Sequence, residues 1–392
     1  MIAMTVHSPD DLLRAIFDVQ RRPHGRRTYL GGSSLARECP REQWLSWRWC
    51  LSPIADDNKT RVFSLGHLLE DHVASMILKV PSVNLHTEER GSQIGGSMFA
   101  GHVQYHVDGI LELPLLGGVY LWEAKSAKST RFNKLVRISE AIAKERDSMS
   151  RVEIEDAPQR SAYSEWDSTY AGQVQFYMGA LREQRHSKIE SAWVTVYNKN
   201  TSEIYSELIP FRPTEYATIQ ESAEWILGLT APPPGQWGAS AYQVKNFMDA
   251  DTRGVYLGEH PPLHPNCRNC RFSQPIVNDG DQGEWACRFH KKKLTIRNQK
   301  EACPDHQWIP ELVGADRLPA GLSETAPASY KTPKGDIVQN VSESSGSHKR
   351  LAFTSHEIAF LARNDWDLGS AKTLSEIRTA FDASYDSEES RG

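Results

Sequence analysis

Two carboxylates and an amine stand close together in strand-like sequence in the first third of this 392-residue chain: Asp108, Glu123 and Lys125. Asp108 belongs to the run His102-Val-Gln-Tyr-His-Val-Asp108-Gly-Ile-Leu-Glu-Leu. A Pro/Gly-containing turn follows, and then Gly118-Val-Tyr-Leu-Trp-Glu123-Ala-Lys125. Side chains at i and i+2 of a strand point to one face, so Glu123 and Lys125 project together, and a hairpin brings Asp108 alongside. Two acidic oxygen ligands for a hard divalent cation, plus one ammonium, suit phosphodiester hydrolysis. The bland alternative is a solvated surface hairpin, since Glu-x-Lys pairs are common on strands. Against it, Asp108 is bounded by Val107 and Gly109-Ile-Leu, and Glu123 lies between Val119-Tyr-Leu-Trp and Ala124. An uncompensated charge in such apolar surroundings is costly, and a metal ion supplies the compensation.

A second set of ligand types lies downstream. Cys267-Arg-Asn-Cys270 is a strong half-site, because two thiolates on a tight knuckle can bind one metal. Cys287 and Cys303 are the other candidates, with His306 a substitute ligand, and a zinc site on Cys267, Cys270, Cys287 and Cys303 is the reading preferred here. A [4Fe-4S] cluster also needs four thiolates and stays open. Cys50 reads as a buried thiol. Trp44, Trp47 and Trp49 could stack on unpaired bases, but such residues are more often core.

The elements that must position these groups follow from periodicity. A short helix opens the chain, and Ser34 to Trp49 reads as helical. Ser64 is a good N-cap for a helix through Leu-Gly-His67-Leu-Leu-Glu70-Asp-His72. The strand pair spans about 99–126, and 127–160 reads as helix plus a flexible insertion. Tyr170 to Glu183 is helical, Ser191–Lys199 and Ser202–Ile209 are β-rich, and 213–229 is helical. Beyond about 314 the composition turns to Pro, Ser, Gly and Thr, which predicts a linker, with a last helix over 355–384. The expected domains are therefore 1–255 for the catalytic region, 256–313 for the cysteine module, and 314–392 for linker and tail.

The formal net charge of −5 gives no global basic field, so local patches matter. Lys125, Lys128, Arg131, Lys134, Arg137, Lys144 and Arg146 form one directly after the acidic trio; Arg21-Arg22 with Arg26-Arg27 and Lys291–Lys293 are others. No secretory signal or bilayer-spanning run is evident, which predicts a cytoplasmic protein without membrane contacts. No Gly-x-x-x-x-Gly-Lys-[Ser/Thr] occurs, so strand separation would need a partner such as a helicase in trans. Gly-x-Ser-x-Gly is also missing.

Asp108-(x14)-Glu123-Ala124-Lys125 resembles the signature of the PD-(D/E)XK nuclease superfamily, with Val107 where the family name expects proline. Gln173-Val-Gln-Phe-Tyr177 resembles the Gln-x-x-x-Tyr motif of its RecB-like exonuclease branch, and Gly66-His67-Leu-Leu-Glu70 resembles its first motif. Together these matches cover about Ser64 to Tyr177 in the family order. The resemblance implies an α/β restriction-endonuclease-like core, a mixed sheet of about four to five strands flanked by helices, carrying a C-terminal cysteine-rich module. It implies Mg²⁺ or Mn²⁺ held by Asp108, Glu123 and Glu70, with His67 the second choice. Lys125 would act on the attacking water, while Gln173, Tyr177, Lys128 and Arg131 would contact DNA. Iron–sulfur members of this branch use one early cysteine and three late ones; Ser33-Ser-Leu-Ala-Arg-Glu-Cys39-Pro resembles the early site, whereas the sixteen residues between Cys270 and Cys287 depart from the compact late pattern. The implied activity is a DNA exonuclease in phage or bacterial recombination or repair, acting in the host cytoplasm if phage-encoded, alone or with a helicase or single-strand annealing protein. A structure-specific or restriction-type endonuclease, and a non-catalytic nucleic-acid-binding protein on a degenerate nuclease fold, are the alternatives.

Overall fold

The longest strand, Gly118–Ala127, organises a five-stranded mixed sheet. Its neighbours in order are Ile204–Pro210, Ser191–Asn198, Gly118–Ala127, Gly109–Leu113 and Asn84–His86. Only the pairing of Gly118–Ala127 with Ser191–Asn198 is parallel; the others are antiparallel. The structure is a computed structural model, and it describes residues 8–20, 26–51, 57–89, 91–115, 117–149, 160–185, 188–314, 316–317, 327–341, 352–364 and 366. The class is mixed α/β, with several sheets and flanking helices.

The chain divides into two units. Unit 1 comprises Met1–Glu38, Pro53–Met98 and Val103–Glu224; unit 2 comprises Cys39–Ser52, Phe99–His102 and Trp225–Gly392. This partition differs from the expected boundary at residue 255. Cys39–Ser52 joins unit 2 because its tryptophans and Arg48 are core residues there: Arg48 donates to the Arg268 carbonyl at 3.1 Å, and the Arg268 guanidinium lies 4.0 Å from the centroid of the Trp49 ring. Trp44, Trp47 and Trp49 are all buried, so none of them is placed to stack on bases.

In unit 1 the helix Asp57–Ile77 packs against the sheet through Val73 and Ala74, which meet Leu85, Leu111, Trp122 and Tyr197. Trp122 is wholly buried, and its indole N–H donates to Thr195 Oγ1 at 3.2 Å, which removes the cost of burying that dipole. The helix begins seven residues before Ser64, the expected cap. Residues such as Lys59 and Arg61 favour helix, and nothing between Asp57 and Ser64 breaks it. Among the described residues, the helices Ser129–Asp147, Ala162–Trp166 and Ser168–Gln184 follow the central strand. The flexible insertion expected before residue 160 lies largely outside the described residues.

The aspartate strand differs from the expected continuous run. Val103–His106 pairs with Leu30–Gly31 and Gly95–Met98 in a separate three-stranded sheet, whereas Gly109–Leu113 belongs to the five-stranded one. The chain changes sheets at Val107–Asp108, so Asp108 sits in the break rather than inside a ladder.

Unit 2 holds an antiparallel ribbon of Ser273–Pro275, Trp285–Cys287 and Lys292–Leu294. It also holds a four-stranded sheet of Asp316–Arg317, Ala328–Lys331, Ile337–Asn340 and Ala352–Phe353. That sheet corrects the linker expected from residue 314. Its strands are short but alternate: Ala328 and Tyr330 are buried, as are Val338 and Asn340. The helix Ser355–Arg363 follows with a reciprocal Thr354/Glu357 capping box. Residues 367–384 of the expected last helix lie outside the described residues. Among the described residues no helix is long and apolar enough to cross a membrane.

Candidate active site

The antiparallel register pairs Gly109 with Trp122 and Ile110 with Leu121. Continued by one residue, it sets Asp108 opposite Glu123, and residues directly opposite share a face. The peptide itself secures this arrangement: the Ala124 amide donates to Asp108 Oδ2 at 2.8 Å. Glu123 and Lys125 project from that face, as their spacing requires, and the Lys125 ammonium donates to Glu123 Oε1.

The Ser168–Gln184 helix supplies the next partner. Its N-cap is Asp167, whose Oδ1 accepts the Tyr170 amide at 3.1 Å. One turn on, Gln173 Nε2 donates to Glu123 Oε1 at 2.9 Å and to the Tyr177 hydroxyl at 3.1 Å. Gln173 and Tyr177 therefore share one face at i and i+4, as expected, but that face meets the glutamate. Gly32 makes room for this contact, since a Cβ there would lie 2.4 Å from the Tyr177 ring. Both residues are buried, so Gln173 positions Glu123 rather than presenting itself to a strand of DNA.

Glu123 Oε1 accepts two hydrogen bonds, whereas Glu123 Oε2 is buried without a partner among the described residues. A buried carboxylate oxygen with no donor is expensive to leave as it is. Burial, and next the neighbouring Asp108, push the Glu123 carboxyl up to about 8 against the pull of Lys125. Burial also raises Asp108, opposed by Lys125 and the Ala124 amide. Glu70, on the Asp57–Ile77 helix, is pushed up to about 7 by burial and then by Asp108. The three carboxyls thus feel one another: a set of hard oxygen donors whose mutual repulsion a divalent cation would relieve. His67 is more exposed, with Nδ1 3.7 Å from Glu70 Oε2, so Glu70 is the better-placed ligand of the two. His72 lies edge-on to Tyr197, a packing contact.

Lys125 is held well above its ordinary range: burial lowers it, but Glu123 and Asp108 together outweigh burial. It is therefore an ammonium at neutral pH, and its aromatic floor is Tyr170, whose ring centroid lies 5.2 Å from Nζ. Tyr163 adds a buried hydroxyl with no hydrogen-bond partner, electrostatically coupled to Lys125 and Glu123. Sequence reasoning missed both tyrosines. Tyr170 was within reach, because 170, 173 and 177 fall on one helical face; nothing local marks Tyr163.

The basic residues separate into two groups. Arg131 is held by Asp167 at 2.6 Å and stacks over Trp166 at 4.7 Å, so it braces the N-terminus of the Ser168–Gln184 helix. Lys128, Lys134, Arg137, Lys144 and Arg146 are exposed on or beside the Ser129–Asp147 helix.

In unit 2, Cys267, Cys270, Cys287 and Cys303 come within electrostatic reach of one another; burial, and next the other thiols, push Cys267 up to about 12. His306 is not among them. Its Nδ1 lies 2.7 Å from Ser355 Oγ and its Nε2 3.0 Å from Asn269 Oδ1, and burial pushes it down to about 3, so it is a satisfied core histidine. Cys39, the expected early cysteine, lies 3.2 Å from the Tyr256 hydroxyl. The histidine that does approach a thiol is His290, 3.7 Å from Cys303 Sγ. The spacing Cys287-x-x-His290 was its available signal.

No protein-family model matches the chain, and no curated protein matches it. Among solved structures, one described as "Crystal structure of SSO0001" is similar at 15% identity over 56% of this chain and 84% of its own, with a TM-score of 0.29. A likeness of that size carries no inference about fold or activity.

Proposed function

We propose that unit 1 is a divalent-cation-dependent deoxyribonuclease of the PD-(D/E)XK type, acting as an exonuclease on DNA during recombination or repair. The observation that carries this reading is the unpartnered, buried Glu123 Oε2 beside Asp108 and Glu70, with an ammonium two residues away. Asp108, Glu123 and Glu70 fit Mg²⁺ or Mn²⁺ as hard oxygen donors and would hold it. The ion, when bound, supplies Lewis acidity toward a phosphoryl oxygen and neutralises charge.

The remaining work falls to the chain. Gln173 fixes the Glu123 carboxylate through Oε1, so that Oε2 keeps one direction. Lys125, protonated at neutral pH, orients the attacking water and stabilises negative charge growing on the phosphate; it is not a base. The Tyr170 ring limits the room that ammonium has, its centroid 5.2 Å from Nζ. Exposed Lys128, Lys134, Arg137 and Lys144 offer the phosphate backbone a basic track.

The test is the full-length protein on end-labelled linear duplex, linear single-stranded and closed-circular DNA with Mn²⁺. Mononucleotide release from linear DNA with intact circles supports the exonuclease. Cleavage of circles moves the assignment to an endonuclease. Intact DNA in every tube, with binding retained, would leave the non-catalytic reading in its place.

A further inference from the structure

His290 and Asp305 were not candidates on sequence grounds, yet they converge on Cys303. The ligand atoms of all three lie within 4.8 Å of one another. His290 Nε2 is 3.7 Å from Cys303 Sγ and 3.2 Å from Asp305 Oδ2. A tetrahedral ion with metal–sulfur bonds of about 2.3 Å and metal–nitrogen bonds of about 2.0–2.1 Å sets sulfur and nitrogen about 3.6 Å apart, and nitrogen and a carboxylate oxygen about 3.4 Å apart. Both observed separations match the edges of one such tetrahedron.

Backbone amides point at the neighbouring sulfurs and offset part of the burial that raises these thiols. The His290 amide donates to Cys287 Sγ at 3.4 Å, at the end of the Lys292–Leu294 ribbon. Amides of Gln307 and Phe272 face the Cys270 sulfur, and that of Asp305 faces Cys303. Such donors favour thiolate over thiol, the form a metal binds. All four cysteines are free of disulfides.

We propose that unit 2 binds one zinc-class ion through Cys303 Sγ, Nε2 of His290 and Oδ2 of Asp305, with a thiolate of the Cys267/Cys270/Cys287 group completing the shell. Each thiol ligand releases its proton to solvent as the ion enters, and the His290 imidazole binds through the Nε2 lone pair with its proton on Nδ1. A histidine within single-ion distance of a thiol is what favours zinc over an iron–sulfur cluster, which here would be held by sulfur alone. The site stands apart from the nuclease reading: its ligands all belong to unit 2, and its test needs no activity.

The experiment is metal analysis and X-ray absorption on the purified full-length chain, followed by the same measurements on His290→Ala and His290→Cys. We expect about one zinc per chain, an edge spectrum requiring sulfur and at least one imidazole nitrogen, metal content lowered at least tenfold in His290→Ala under chelator challenge, and retention with added sulfur scattering in His290→Cys. An all-sulfur shell in the wild-type chain, iron with inorganic sulfide, or no metal at all would each overturn the proposal. The wild-type spectrum decides even if a variant fails to fold.

Discussion

The carboxylate pocket of unit 1 and the thiol group of unit 2 both collect metal-ligand side chains, but they balance charge in different ways. The pocket carries its own cation: Lys125 offsets part of the charge of Glu123 and Asp108, and raised proton affinity takes up the rest while no metal is bound. Lys292 acts on Cys267 and Arg48 on Cys270, yet burial outweighs them and both thiols are pushed up to about 12. Burial there favours the neutral thiol, and only a bound ion makes thiolates tolerable. The lesson is that a pre-balanced site suits an ion that exchanges during a reaction cycle, and an unbalanced one suits an ion that stays.

The largest effect that would break this comparison is chelation. Brief EDTA treatment should abolish DNA cleavage, and Mg²⁺ alone should restore it, while the zinc of unit 2 survives and is lost only on prolonged exposure to a strong chelator with unfolding. If zinc, rather than Mg²⁺, were needed for recovery, the division of labour drawn here would be wrong. A smaller loss is expected from Gln173→Ala, which leaves the ligands in place but frees Glu123: about 10- to 100-fold in metal affinity or rate. A metal titration of activity measures it, and an unchanged curve would remove Gln173 from the positioning role.

The pH dependence sharpens the charge argument. Glu123 is raised from 4.5 to about 8 and Glu70 from 4.5 to about 7 in the folded chain. Between these values the folded, metal-free chain holds protons that the unfolded chain has released, so stability is greatest below about pH 4.5 as far as these groups go and falls as pH rises toward 8. Urea midpoints in EDTA should therefore decline from pH 5 to pH 8, and saturating Mg²⁺ should flatten the decline. A midpoint that rises over that interval without metal contradicts the repulsion described for the pocket. The smallest effect belongs to the basic helix: Lys134→Ala or Arg137→Ala should each lower the slope of log K against log salt for DNA binding by about 1, with little dependence on sequence.

Much of the pocket was legible before the fold. Strand period alone joined Glu123 to Lys125, and helical period joined Gln173 to Tyr177. What those periods do not carry is which partner a face meets: the Gln173/Tyr177 face could reach DNA or the site, and Gln173 holds Glu123. The Arg131–Asp167 ion pair was equally hidden, since Asp167 lies far from Arg131 in sequence. Tyr163 and His290 reach their partners through tertiary packing with only a weak local mark, or none. The sheet at 316–353 was hidden by strands of two to four residues set in Pro-, Ser- and Gly-rich sequence, where composition outweighs a short alternation. The sheet change at Val107–Asp108 left no sign either, because both flanking runs are equally strand-like.

The most direct test is the initial rate of nucleotide release from linear DNA with Mn²⁺, for the wild-type chain beside Glu123→Gln and Lys125→Ala, with folding checked by urea midpoint. We expect losses on the order of a thousandfold or more for Glu123→Gln and on the order of a hundred- to a thousandfold for Lys125→Ala. Wild-type rates in both folded variants would contradict the assignment of chemistry to this pocket.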